Sequence, residues 1–556
     1  MHNPAAETVA AYSSGSVGDK DANPETTLGS AYSPVDYMSI TSFPRLPEDD
    51  MASGENTLKS RKDDDNVLSE QDTDPDLFLR SARLQRLPSS ASDLASHDIA
   101  SLRETNTDPF SEDCACQRDG LTVIITACLT FATGVTVALI MQIYFGDPQV
   151  YNQGAVVTDV ARCTSLGFDV LGKQGSSVDA AIAAALCLGI VHPHTSGIGG
   201  GGVMLVHNIR KNETRVIDFR ETAPSAIHED MLQTNLDINT GLLVGVPGML
   251  SGMHQAHQLY GRYRKLKFFP KKKNQYSFLA FQVQKKGGVL TDEDLGNYST
   301  VLQEPAEVTY QGHHVMASSA PHAGVALIAA LNILEGYNIT SKMPRNSTVH
   351  WIAEAVKISL GLASGLGDPM FDSSVTETVA KMLSKSQASL LRQLISDSEA
   401  NPVGHYTSAF TLEKGAAAAQ VMVMGPDDHI VSVMSSLNKP FGSGIVTPSG
   451  ILLNSQILDF SWPNKTLSSS PNPHNNLQPG KRPMSFLMPT AVRPAVGLCG
   501  TYVAVGSSNG EKALSGITQV LMNVLSSRKN MNDSLAYGRL HPQLQPDTLL
   551  VDGEFF

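Results

Sequence analysis

Residues 176–205 read SSVDAAIAAALCLGIVHPHTSGIGGGGVML. The run 177–186 is rich in Ala and opens with Ser and Asp, which cap exposed N–H groups, so it predicts a helix. Val203-Met204-Leu205-Val206-His207 predicts the strand that follows. Between them, residues 197–202 (GIGGGG) satisfy GxGxxG in form. A dinucleotide site needs the strand first and the helix second, so that the pyrophosphate meets a helix amino terminus. Here the order is reversed, and no Lys-Ser/Thr pair follows, so both common nucleotide loops are excluded. The glycines are expected to let helix and strand backbones approach closely.

The alternation continues outward. Strands are expected at 215–219, 420–424 and 430–434, and an apolar helix at 323–334, giving an α/β protein with a sheet covered by helices.

The 556 residues carry 41 Lys plus Arg against 54 Asp plus Glu. The first 119 hold 23 acids and 10 bases, so the whole excess of 13 negative charges lies there and the remainder is neutral. A neutral globular part without a basic stripe argues against nucleic acid as a partner. Residues 1–119, rich in Ser, Asp, Thr and Pro, offer too little apolar surface to offset ordering entropy and are expected to be a disordered acidic tail. Residues 121–145 contain no charge. As a helix they reach about 37 Å, enough to span a hydrocarbon core of about 30 Å. We assign 120–146 as a single transmembrane helix.

Arg118 before this segment and Asp147 after it favour a cytoplasmic tail. Asn212, Asn297, Asn338, Asn346, Asn464 and Asn532 each open an Asn-x-Ser/Thr triplet, and all follow the anchor. These features predict a single-pass type II protein with a lumenal or extracellular domain. Cys114 and Cys116 beside the anchor are candidates for palmitate, with free thiols as the plainer reading. Cys163, Cys187 and Cys499 follow the anchor, and an odd number leaves at least one unpaired within the chain. The absence of CxxC and HExxH leaves no motif-readable zinc site, and no cofactor is expected.

The quoted stretch, together with VIDFRETAPSAI, GVPGM, GGVLTDEDLGNY, SSAPHAGVALIAALNILEGYN, LGDPMF, SSLNKPFGSG, SGILLNSQILDFSWP, QPGKRPMSFLMPT and GRLHPQL, resembles the gamma-glutamyltransferase (glutathione hydrolase) family. The matches run in family order from about 155 to 550. The resemblance implies an N-terminal-nucleophile hydrolase-type αββα sandwich. It also implies a precursor that cuts itself before a Thr, giving a large chain (here 151–417) and a small one (418–556). The freed Thr supplies its hydroxyl as nucleophile and its α-amine as base, a pairing that suits neutral pH. Glutathione or another γ-glutamyl compound would be the partner, its γ-glutamyl group passing to water or an amino acid.

Carried over residue by residue, Arg220 would grip the ligand α-carboxylate, a task suited to guanidinium. Its bland alternative is an ion pair with Glu221. Asn438 and Asp459 would hold the α-amino end, Ser436 joins the binding set, and Ser485 would touch the carboxylate. Gly510 remains of a glycine pair expected to stabilise the oxyanion, with Asn509 in place of the first; losing one such donor costs about 2.7–4 kcal/mol. Phe486 and Gln456 replace a Ser and a Glu of the family pattern. The largest departure is Ala418, which stands at the nucleophile position and has no hydroxyl. Thr411, Ser408 and Thr407 lie upstream, and an extended chain would hold Thr411 up to ~23 Å away.

The Lys-rich segment 262–286 has no clear period and replaces a longer helical region of the family. The chain ends soon after GRLHPQL, where the family continues, so an exposed sheet edge is expected. His254 and His257 share a helix face without a recognisable carboxylate partner and read as ordinary core or surface histidines.

Overall fold

The computed structural model describes residues 38–40, 120–145 and 154–553, apart from 234–235, 263–272, 413–416, 464 and 466–469. It contains two compact units, residues 44–150 and the remainder. Among the described residues the first unit is the helix α1 (Gly120–Phe145). Its segment Gly120–Met141 has a mean hydropathy of 2.3 and is exposed throughout, long and apolar enough to cross a membrane.

The second unit opens with β1 (Met38–Ile40), β2 (Ala155–Thr158), β3 (Gly201–Asn208), β4 (Glu213–Phe219) and β5 (Val301–Gln303). Then come β6 (Ala306–Tyr310), β7 (His313–Ala317), β8 (Ala417–Met424), β9 (His429–Asn438), β10 (Thr490–Pro494), β11 (Val503–Ser507), β12 (Leu540–Gln543) and β13 (Thr548–Val551). One antiparallel sheet runs β2-β8-β9-β3-β4-β5 and a second β1-β11-β10-β7-β6, with β12 and β13 a separate pair. Within residues 1–119 the structure describes only the strand β1, where Met38–Ile40 pairs with the edge of β11, which offers it unpaired N–H and C=O groups.

Strand periodicity builds the layers. Along β3, Val203 and Leu205 point to one face and Met204 and Val206 to the other. The first pair meets Met316 of β7, Ala491 of β10 and Ala504 of β11 between the sheets. The second pair packs under α2 (Ala161–Gly172), α3 (Ser177–Val191) and α4 (Met249–Tyr260). Further along the chain come α6 (Asp292–Asn297), α7 (Gly324–Glu335), α8 (Arg345–Ser364), α9 (Ser373–Leu383), α10 (Lys385–Gln393) and α11 (Lys512–Leu521), and behind the other sheet Val315, Val492 and Val505 lie against α7, α8 and α11. Two sheets face each other between helical layers, as an αββα sandwich requires. Each large apolar side chain buried here contributes about 1.5–3 kcal/mol.

The helix at 177–186 and the strands at 203–207, 215–219, 420–424 and 430–434 all form. Ser176 caps α3, accepting from the Asp179 N–H while Asp179 accepts from the Ser176 N–H. The glycines act as close-approach residues: a Cβ on Gly202 would lie 2.1 Å from the Met434 carbonyl oxygen. Part of the aperiodic 262–286 segment is helical as α5 (Lys273–Gln284), where Ala280 and Val283, three apart on one face, are buried. His257 also departs from expectation, since its Nδ1 stands 2.9 Å from Asp179 Oδ1, a partner invisible at that sequence distance.

Cys163 and Cys187 form a disulfide joining α2 to α3, and Cys499 is free and exposed. Cys114 and Cys116 lie outside the described residues. A cross-link over 24 residues restricts the unfolded chain by about 3 kcal/mol. Replacing both cysteines with Ser is therefore expected to lower the thermal midpoint by several degrees, and an unchanged midpoint would mean the bond contributes nothing.

Candidate active site

Arg220 follows the last residue of β4 and is almost wholly buried. Such a cation must be neutralised and hydrogen-bonded to be tolerated. Its Nη2 pairs with Asp459 Oδ2 and donates to the Met484 carbonyl at 3.2 Å, while Nε donates to the Pro483 carbonyl at 3.4 Å. Glu221 is close but looser, with its Oε2 3.7 Å from Nη1. The ion pair named as the bland alternative for Arg220 therefore exists, although Asp459 is the tighter partner.

Asn438 links this pair to the end of β9. Its Nδ2 donates to Asp459 Oδ1 at 2.9 Å and to the Ser455 carbonyl at 3.2 Å. Here β9 carries an irregularity: Ala417 faces Asn438 but Ala418 faces Ser436, so Leu437 is the extra residue. Bulges of this kind re-aim side chains at strand ends, and Asn438 accordingly has φ of +73°. Ser436 donates its hydroxyl to the Ala417 carbonyl at 2.6 Å and accepts from the Asn438 N–H at 2.8 Å.

These groups border one cavity of about 280 Å³, which also meets Thr411, Ala418, Ser485, Phe486, Asn509 and Gly510. All the binding residues expected from sequence thus converge on a single site. Ala418 presents a methyl group there. Thr411 borders the same cavity. Its Oγ1 is buried and has no hydrogen-bond partner among the described residues. Asn509 takes φ of +106° and Gly510 +58°. Asn509 keeps a backbone that favours glycine, at some cost in strain. Among the described residues, neither N–H of this pair is taken by a main-chain bond.

The electrostatics are uneven. Burial pushes the Glu221 carboxyl up to about 7, against the opposing pull of Arg220. Asp218 is held below the usual carboxylate range: burial alone would raise it, but His322, followed by Arg482, outweighs that. No group of three or more metal-ligating side chains occurs among the described residues.

A cation and an anion side by side at the floor of a half-polar cavity fit a zwitterionic ligand head. The site lies in a two-sheet αββα sandwich. The Gamma-glutamyltranspeptidase family profile matches residues 163–269 and 277–556, and the chain belongs to that family. It is 53% identical to Glutathione hydrolase 7 of Homo sapiens, over 97% of this chain and 92% of that protein. It is 30% identical to Glutathione hydrolase 2 of Arabidopsis thaliana, over 71% and 81% respectively. A cephalosporin acylase from Bacillus halodurans shares the fold, with a TM-score of 0.57 and 22% identity over 71% of this chain and 86% of that one. The sandwich is thus of the N-terminal-nucleophile hydrolase type.

One neighbour of the cavity escaped sequence reading, namely the imidazole of His322 behind Ser485, and no local pattern signals it.

The raised Glu221 carboxyl has a stability consequence. Between its ordinary value of 4.5 and about 7, the folded chain binds more protons than the unfolded one. Stability must then fall as pH rises through that window. Glu221→Gln should remove this decline and raise the thermal midpoint at pH 8 relative to wild type. Parallel midpoint curves for the two proteins between pH 5 and 8 would refute the assignment.

Proposed function

We propose that this protein binds γ-glutamyl compounds of the glutathione type. Arg220 takes the ligand α-carboxylate, while Asp459 and Asn438 take the α-ammonium group. The observation that carries this reading is the buried Arg220–Asp459 pair opening onto the cavity, with Asn438 bridging to it. A zwitterion inserted there satisfies both charges without leaving either one unpaired. Ser436 fixes the carbonyl of residue 417, and the N–H groups of Asn509 and Gly510 stand ready for an oxyanion.

Ala418 closes the family's usual route. Without a hydroxyl at that position, the chain is not divided into 151–417 and 418–556, and no α-amine is released there. A second reading, turnover of the γ-glutamyl amide by another hydroxyl, is favoured by the further hydroxyls bordering the cavity.

The binding domain is proposed to lie on the lumenal or extracellular side of a type II anchor. The Cys163–Cys187 bond suits an oxidising compartment, and Asn212, Asn297, Asn338, Asn346 and Asn532 are all exposed and open to glycosylation. Asn464 lies outside the described residues. The pairing of Met38–Ile40 with β11 speaks against this topology, since it needs tail and domain on one side of the membrane. Glycosidase treatment together with protease shaving of sealed vesicles from secretory cells decides the matter: a mass loss with a protease-sensitive tail supports the type II reading, and a glycosylated chain with a protected tail favours the common side.

Glutathione should bind the full chain, with Arg220→Gln weakening it at least tenfold, about 1.4 kcal/mol or more. In denaturing mass spectra the wild type should be one uncut polypeptide, whereas Ala418→Thr should gain a cut before residue 418. A wild-type fragment starting between 407 and 420 would overturn the closed route.

A further inference from the structure

Most protons of the Arg220 guanidinium are committed. Nε gives its proton to the Pro483 carbonyl, while Nη2 gives one to Asp459 and one to the Met484 carbonyl. Nη1 makes no hydrogen bond among the described residues, so its protons are the ones left for a ligand carboxylate. An acid of the chain already stands there. Glu221 Oε2 lies 3.7 Å from Nη1, inside ion-pair range but too far for a hydrogen bond.

Glu221 is fully buried, and neither of its oxygens has a hydrogen-bond partner among the described residues. The elements packed on it bring little to hold a negative charge. At the start of β3, a Cβ on Gly201 would lie 2.8 Å from the Glu221 carboxyl carbon, and before α4 one on Gly245 would lie 3.0 Å from its Cβ. Both glycines therefore present bare backbone. From the turn at 456–459 come Asp459, which repels a second anion, and Gln456, whose own Oε1 is likewise buried without a partner. Tyr298 donates its hydroxyl to the Arg220 carbonyl at 2.8 Å, and burial holds that phenol neutral, above the usual tyrosine range. Asp218 and Arg482, which also act on Tyr298, lie 3.8 Å from each other and offset one another. A carboxylic acid, with a proton to give, suits these surroundings better than a carboxylate does. Nor can one guanidinium nitrogen serve two anions equally. With a ligand α-carboxylate at Nη1, an ionised Glu221 would face a like charge at close range, which drives a buried acid to take a proton.

We propose that Glu221 is an internal competitor for Arg220 and takes up a proton when the ligand α-carboxylate binds. The proposal rests on the cavity being a γ-glutamyl site. Glu221 acts as a positioning residue: as an acid it leaves Nη1 to the ligand, and as an anion it holds Nη1 back. Burial, which pushes its carboxyl up to about 7, brings this exchange close to neutral pH. With ligand bound the site holds more protons than when empty. Affinity is then constant well below 7 and weakens as pH rises through it.

The test is calorimetry on the full chain with S-methylglutathione, whose blocked thiol cannot titrate, in buffers of different ionisation enthalpy. At pH 7 the wild type should take up about half a proton more than Glu221→Gln on binding. Between pH 6 and 8 wild-type affinity should fall about tenfold relative to Glu221→Gln, which shares the ligand's own amine titration. Infrared difference spectra of the wild type should gain a protonated-carboxyl band when ligand is added, a reading that needs no variant. Equal proton uptake by the two proteins, or affinities that run parallel across that range, overturns the proposal. So does binding without the carboxyl band. A chain that binds no S-methylglutathione at any pH overturns the cavity reading, and this proposal with it.

Discussion

A guanidinium removed from water at the end of a central strand organises everything around it. Arg220 can be buried only if carbonyls and a carboxylate arrive from elsewhere, and they come from residues 459, 483 and 484. Removing one partner would leave a charge stranded in a medium where that costs several kcal/mol. The neighbouring carboxylates are arranged in consequence. Asp218 accepts from the Arg220 N–H and stands near an imidazole and a second guanidinium, whereas neither Glu221 oxygen has a hydrogen-bond partner among the described residues. Three acidic groups near two arginines cannot all be equally well compensated, and Glu221 carries the deficit.

The bulge at Ala417 and Ala418 belongs to the same constraint. Asn438 reaches Asp459 only because Leu437 is an extra residue that turns the end of β9. The irregularity that aims the binding amide therefore also aims residue 418 into the cavity. The alanine at 418 suits this geometry, since a buried methyl group needs no partner.

The sandwich was legible because its information is local. The period of two along β3, β4, β8 and β9 and the cap at Ser176 are written into consecutive residues. The cavity's lining was legible in part through motif resemblance at Arg220, Asn438, Asp459 and Ser485. What escaped depends on approach across long separations. His322 lies in SSAPHAG, which reads as a turn before α7, and nothing nearby announces Ser485, 163 residues on. His257 was misread because Asp179 is 78 residues away. The helix α5 was missed because its apolar stripe is short beside the lysines that precede it.

The threonines of α1 have a consequence of another kind. Thr126, Thr130, Thr133 and Thr136 each turn the hydroxyl back onto a carbonyl one turn earlier in the same helix. Those four threonines are thereby left with no hydroxyl proton to offer a neighbour. A helix packing along that stretch would be recognised by contour, on small residues such as Ala132 and Gly134 that admit a close partner.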